Sequence, residues 1–296
     1  MKSHIYPLIA LGNEAPIAAA SDSLAPGLIA LANESRFVST HYSEALTQFT
    51  VGYRDPENLL AAVDYIAPPV PVGRRFEWKK ADNSEAFLTE TDDERAIGAG
   101  FKKVEYSGST QLGKTANRGL TYVLDTDEDG GAVTEESVVA MLQQRIIRNK
   151  YRRAISALLA LSAGTASVWS AVAQPDELMR AALATAQLDS GLFPNRGLVG
   201  LAAWNLRSAG LAAQNNAGAY AALAKTPAQV AGDLMLDDLR VDKALFQQTK
   251  TAKGRIVGSN FIGFTARDGL GKDDPSNLKQ FYTPTGGGRF RVYRKV

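Results

Sequence analysis

The sequence predicts an α+β protein, and three observations carry that reading. A helical apolar period starts at Thr134, charged strand patterns fill much of residues 74–125, and short helical and strand-like runs alternate after residue 175. With 296 residues, 45% hydrophobic and 22% charged, the chain is long enough for one large domain or two modest ones with real cores. This is ordinary globular composition, which excludes disorder, collagen and coiled coil.

Residues 1–35 mix small apolar clusters with Pro7, Pro16 and Pro26 and have no sustained period, which reads as an extended arm. Residues 36–73 lead in and end on the proline-rich run Ala67-Pro68-Pro69-Val70-Pro71-Val72-Gly73. Strand alternation then begins at Arg74-Arg75-Phe76-Glu77-Trp78-Lys79-Lys80, breaks at Ala81-Asp82-Asn83-Ser84, and returns over 101–107 and 119–124. Charges fall where a core would forbid them, so residues 74–125 are expected to form a long, exposed, poorly cored β excursion.

Thr134 is the expected N-cap of the next element, with Glu135 and Glu136 at the positive end of the dipole. Val139, Leu142 and Ile146 line one face, and the pattern runs on through Ile147, Tyr151, Ile155 and Leu158. The helix should be about 28 residues long, or about 40 Å. Beyond it, Pro175 and Thr226-Pro227 open further helices by the rule that favours proline in the first turn. Runs at 196–201, 255–265 and 289–296 are strand-like.

Composition narrows the chemistry. The chain has 33 Lys and Arg against 31 Asp and Glu, so any electrostatic partner must be held by a local patch. There is no cysteine, and only His4 and His41 could supply imidazole. That argues against disulfides, thiolate chemistry, Ser-His-Asp hydrolysis and multi-histidine metal sites. The N-terminus lacks the apolar core of a secretory signal, which is read as a cytoplasmic product. The uncharged stretch Ala154 to Ala173 carries four serines, a threonine and Gly164, and reads as a buried helix end followed by a turn; no membrane is expected.

Three patterns look chemical. Gly108 to Thr115 fits G-x-x-x-x-G-K-[ST], but the segment before it carries Lys102, Lys103 and Glu105 and the one after it reads as strand. A phosphate loop needs an apolar strand before it and a helix after it, so a hairpin loop is the better reading. Asp125, Asp127, Asp129 and Glu136 match the acidic spacing of a calcium loop, whereas Ala132 and Val133 suit that loop poorly; a solvated acidic turn is the competing reading. Arg145, Arg148 and Arg152 share a helix face in a stretch, with Lys150 and Arg153, that contains no acid. A solvated face and a surface turned toward a polyanion such as DNA both fit that stripe. No catalytic residue and no cofactor site is assigned.

The order of segments resembles that of tailed-bacteriophage major capsid proteins, whose fold encapsulins share. The matching stretches are Ile66 to Phe76 before the excursion, Val104 to Gly108 through Gly119-Leu120-Thr121 closing it, and Phe193 to Gly200 ahead of Ala202 to Leu206. Near the end, Phe281-Tyr282-Thr283 and Gly286 to Tyr293 look like the closing strand pair. The resemblance implies an N-terminal arm over 1–35, a lead-in over 36–73, an extended loop over 74–125 and a peripheral domain with the long helix over 126–175. An axial domain would follow over 176–265, and a return to the peripheral domain over 266–296. It further implies a structural subunit that self-assembles as hexamers and pentamers into an icosahedral head around double-stranded DNA, built in the host bacterial cytoplasm, without catalysis or cofactor. Partners would be the portal, with a separate scaffold or decoration proteins, and the packaged DNA would be held by non-specific contact through Arg145, Arg148 and Arg152. Some relatives carry covalent Lys to Asn cross-links; Lys114 and Asn117 lie in the corresponding loop, and no pair is assigned. An encapsulin-like compartment is the nearest alternative, and a nucleotide-binding protein using Gly108 to Thr115 a more distant one.

Overall fold

A computed structural model of the chain describes residues 8–12, 40–80, 94–95, 97, 100–101, 109–123, 134–161, 164–170, 174–269, 271–273, 276–284 and 290–295. Within them the architecture is mixed α+β, with seven helices and several small sheets around two hydrophobic cores.

The first core is built on α3 (Glu135–Leu159), which has 25 residues and spans roughly 37 Å at 1.5 Å per residue. Thr134 accepts a hydrogen bond from the Ser137 amide and Ser137 reciprocates on the Thr134 amide, a capping box that supports the expected start. Val139, Leu142, Ile147, Tyr151, Ile155 and Leu158 are buried along one stripe, while Ile146 is only half-buried at its margin. They pack on Leu46 of α1 (Glu44–Gly52) and on Leu59, Val63 and Ile66 of α2 (Leu59–Ile66). The helix stops at Leu159, short of the expected length; Gly164 beyond it takes a positive φ of 68°.

The second core gathers Met179 and Leu183 of α4 (Pro175–Ser190), Ala203 of α5 (Leu201–Ala213), and Val230 and Ala231 of α7 (Pro227–Asp233). Pro175 and Pro227 occupy first turns as expected, and Thr226 forms a second capping box with Gln229. Between α5 and α7 lies the short α6 (Ala217–Leu223). Arg207 of α5 is wholly buried here. Its Nε and Nη2 donate to the Asp176 carboxylate at 2.6 and 2.8 Å, and Nη2 also reaches the Ala222 carbonyl, so one guanidinium links α4, α5 and α6.

One sheet divides the two cores. β7 (Arg196–Gly200) lies between β11 (Phe261–Phe264), antiparallel, and β8 (Asp238–Asp242), parallel. Side chains of a strand alternate between faces, so Leu198 and Phe264 enter the first core while Val199, Leu239 and Phe261 serve the second. Gly200 closes β7 where backbone crowds it: a Cβ there would lie 2.0 Å from the Gly258 carbonyl oxygen.

A four-stranded sheet in the order β2-β13-β1-β6 covers the first core, with strands Leu8–Gly12 (β1), Thr40–Tyr42 (β2), Gly119–Val123 (β6) and Arg291–Lys295 (β13). Leu8–Gly12 was expected within an irregular arm; it pairs on both sides, with β6 and with β13. β3 (Pro69–Pro71) pairs in parallel with β12 (Gln280–Tyr282). The Pro68 carbonyl and the Val72 amide face β12, so Pro69 and Pro71, which have no N–H, occupy the outer edge and blunt it. β4 (Arg75–Lys80) and β5 (Ser109–Lys114) form a separate two-stranded ribbon. β9 (Leu245–Gln247) and β10 (Lys253–Arg255) form a hairpin beside α3.

Candidate polyanion-facing surface

The arginine stripe of α3 is not uniform. Arg145 is exposed and has no ion pair among the described residues. Arg148 is tied in: it donates to Glu57, in the turn before α2, and at 2.6 Å to the Leu245 carbonyl. The stretch itself contains no acid, as the sequence shows, but the fold brings Glu57 to Arg148 from 91 residues away. Arg152 lies over the Phe246 ring at 4.1 Å, and Phe246 in turn covers Gly254, where a Cβ would sit 2.8 Å from the ring. Arg153 lies near Arg118; partial desolvation and then that neighbouring guanidinium lower its pKa.

Two adjoining clefts flank the β9–β10 hairpin and share Arg148, Phe246 and Gln247. The first, about 630 Å³, is lined by Arg240, Lys243 and Lys253 with Glu57 and Asp242 as its acids. The second, about 500 Å³, holds Arg145 and Arg152 and no acid.

Asp242 sits at the back of the first cleft, where Tyr151 donates to its Oδ1 at 2.8 Å and the Ala244 amide at 3.2 Å. Burial raises the Asp242 carboxyl above its usual 3.8, against hydrogen bonds from Tyr151, Ala244 and Val257 that pull it down. Burial and the adjacent carboxylate raise the Tyr151 phenol in turn. Tyr65, on the same cleft, donates to the Gly197 and Asp238 carbonyls, each at 2.9 Å, with Arg240 over its ring at 4.0 Å. Burial raises its pKa as well. These tyrosines are structural ties between helix and sheet.

The phosphate-loop pattern takes another form than expected. Gly108 lies outside the described residues, and Ser109–Lys114 are strand β5 rather than the hairpin loop. Gly113 pairs with Phe76, and a Cβ there would meet that ring at 2.5 Å, so the glycine makes room for an aromatic cover. Successive amides of a strand point in opposite directions, unlike amides converging on an anion. Thr115 follows the strand and bonds back to Arg74 and Thr283. Of the calcium pattern, Asp125, Asp127 and Asp129 lie outside the described residues, and Glu136 is exposed in the first turn of α3. Lys114 and Asn117 are both exposed, at the end of β5 and in the turn after it.

The sequence reading missed the hairpin. Its signal is the acid-free segment 243–255, which carries Lys243, Lys250, Lys253 and Arg255.

No family model matches the chain, and no curated protein matches it. Its fold is similar to the crystal structure of a phage-related protein from Bordetella bronchiseptica RB50, at a TM-score of 0.54 and 14% sequence identity, over 86% of this chain and 91% of that one. At that identity the likeness is one of fold. No helix among the described residues is long and apolar enough to cross a membrane.

Proposed function

We propose that the chain is a shell subunit, the major capsid protein of a tailed phage or prophage, which assembles into an icosahedral head around double-stranded DNA without catalysis or a cofactor. The observation that carries the reading is the β4–β5 ribbon. Phe76 and Trp78 rest against Phe281 on one face, at ring separations of 4.6 and 5.9 Å. The opposite face carries Arg75, Glu77 and Lys79 with Leu112, which is 81% exposed. A two-stranded ribbon is marginal in water by itself, which fits an element completed by another copy of the chain. The fold shared with a phage-related protein over most of both chains supports the same reading.

Sedimentation and negative-stain microscopy of the purified chain test it. Megadalton particles or capsomers are expected; a single species at the chain mass of 31.7 kDa across concentration and salt would overturn it.

A further inference from the structure

The fold brings together two segments that contain no acid, residues 145–153 of α3 and residues 243–255 of the hairpin. We infer that they form one polyanion-binding surface, with Arg145, Arg152, Lys243 and Lys253 contacting the phosphate backbone of double-stranded DNA. The inference rests on the shell reading for the source of the DNA and adds residues which that reading did not assign.

The charge balance within the clefts carries the argument. Two acids line them, and both are engaged: Glu57 binds Arg148, and Asp242 is buried behind Tyr151. Arg240 is paired with Asp238. Among the described residues Arg145, Arg152, Lys243 and Lys253 have no ion-pair partner, in a chain whose net charge is only +2. Arg118 lies beside Arg153 of the same helical segment and adds a further positive charge there.

The surface is also held in place. Gly254 admits Phe246, and the Phe246 ring seats Arg152. The Gln247 Nε2 donates to the Thr249 and Lys250 carbonyls at 2.6 and 2.9 Å, and the Ala252 amide donates to Thr249 Oγ1 at 3.0 Å, which fixes the hairpin tip. Cations spread over a helix and a hairpin suit a phosphate chain that needs positive charge and little directional readout. An acidic face of a second copy is the competing occupant.

The test is binding of the full chain to a short duplex of random sequence, read by fluorescence anisotropy between about 50 and 200 mM salt. Each phosphate contact contributes about 0.9 to the slope of log affinity against log salt, so Lys243→Gln with Lys253→Gln should flatten the slope by about two and weaken binding about tenfold or more at the low-salt end. Lys243→Arg with Lys253→Arg should restore the slope, and Arg148→Gln combined with Glu57→Gln, which removes an ion pair of no net charge, should leave it unchanged. A slope in the double glutamine variant equal to that of the wild type overturns the inference. So does an unchanged slope with lost self-association, which would assign the surface to a second copy. Microscopy of the same variants separates the two readings. Particles with an unaltered slope sink this inference alone, and a salt-dependent slope without particles sinks the shell reading alone.

Discussion

The Tyr151 hydroxyl donates to Asp242 Oδ1 over 2.8 Å, which joins the middle of the long helix to the end of the dividing sheet. Asp242 pairs in register with Gly200, so it faces the first core, as Leu198 two residues back along β7 does.

Burial holds the Asp242 carboxyl above its usual 3.8, so the folded chain binds its proton more tightly than the unfolded chain does. Between the ordinary carboxylate value and the raised one, the contribution of this group to stability therefore falls as pH rises. Tyr151→Phe removes a donor to the ionised form, so it should widen that window upward and cost about 1–3 kcal/mol near neutral pH. Asp242→Asn should abolish the window, because nothing then titrates. Urea denaturation from pH 4 to 7 checks both; parallel stability profiles for wild type and Asp242→Asn would rule out the assignment.

Gly200→Ala and Gly113→Ala should differ in severity. The alanine at 200 meets the backbone carbonyl of Gly258, which cannot rotate away, and about 1–3 kcal/mol or more should be lost. At 113 the obstacle is the Phe76 ring on a ribbon outside both cores, so the melting temperature should barely move. Differential scanning calorimetry of the pair reads the contrast.

Arg207 and Asp176 should respond unequally to truncation. Asp176→Ala leaves a buried guanidinium without its carboxylate and should cost about 3–5 kcal/mol. Arg207→Met keeps much of the volume and leaves a carboxylate that water reaches, so its cost should be smaller. Denaturation midpoints giving the reverse order would contradict the buried-pair account.

Phe281→Ala withdraws the aromatic surface on which Phe76 and Trp78 rest. The ribbon lies outside both cores, so the expected result is a near-unchanged melt of the subunit together with loss of particles by sedimentation. Normal particle yield would show that the ribbon is not an assembly contact.

The long helix was legible in the sequence because its determinants lie within a turn or two of one another: the cap at Thr134, the early acids and the stripe from Val139 to Leu158. The proline starts at Pro175 and Pro227 are equally local. The arginine stripe was legible too, as a face of that helix. Its division into one engaged and two available arginines was not, because Glu57 and Phe246 reach it only after the chain has folded back over about a hundred residues. Residues 109–114 could be read as a loop until Arg75–Lys80 paired with them, and Leu8–Gly12 as an arm until β6 and β13 closed on both edges. Leu198 and Val199 are adjacent apolar residues that serve different cores, a distinction made only by what packs on each face of β7. Helix period and caps arise from contacts between near neighbours along the chain, so sequence alone determines them. Strand pairing, charge neutralisation and the joining of two basic segments into one surface depend on contacts between distant residues, and those the tertiary structure decides.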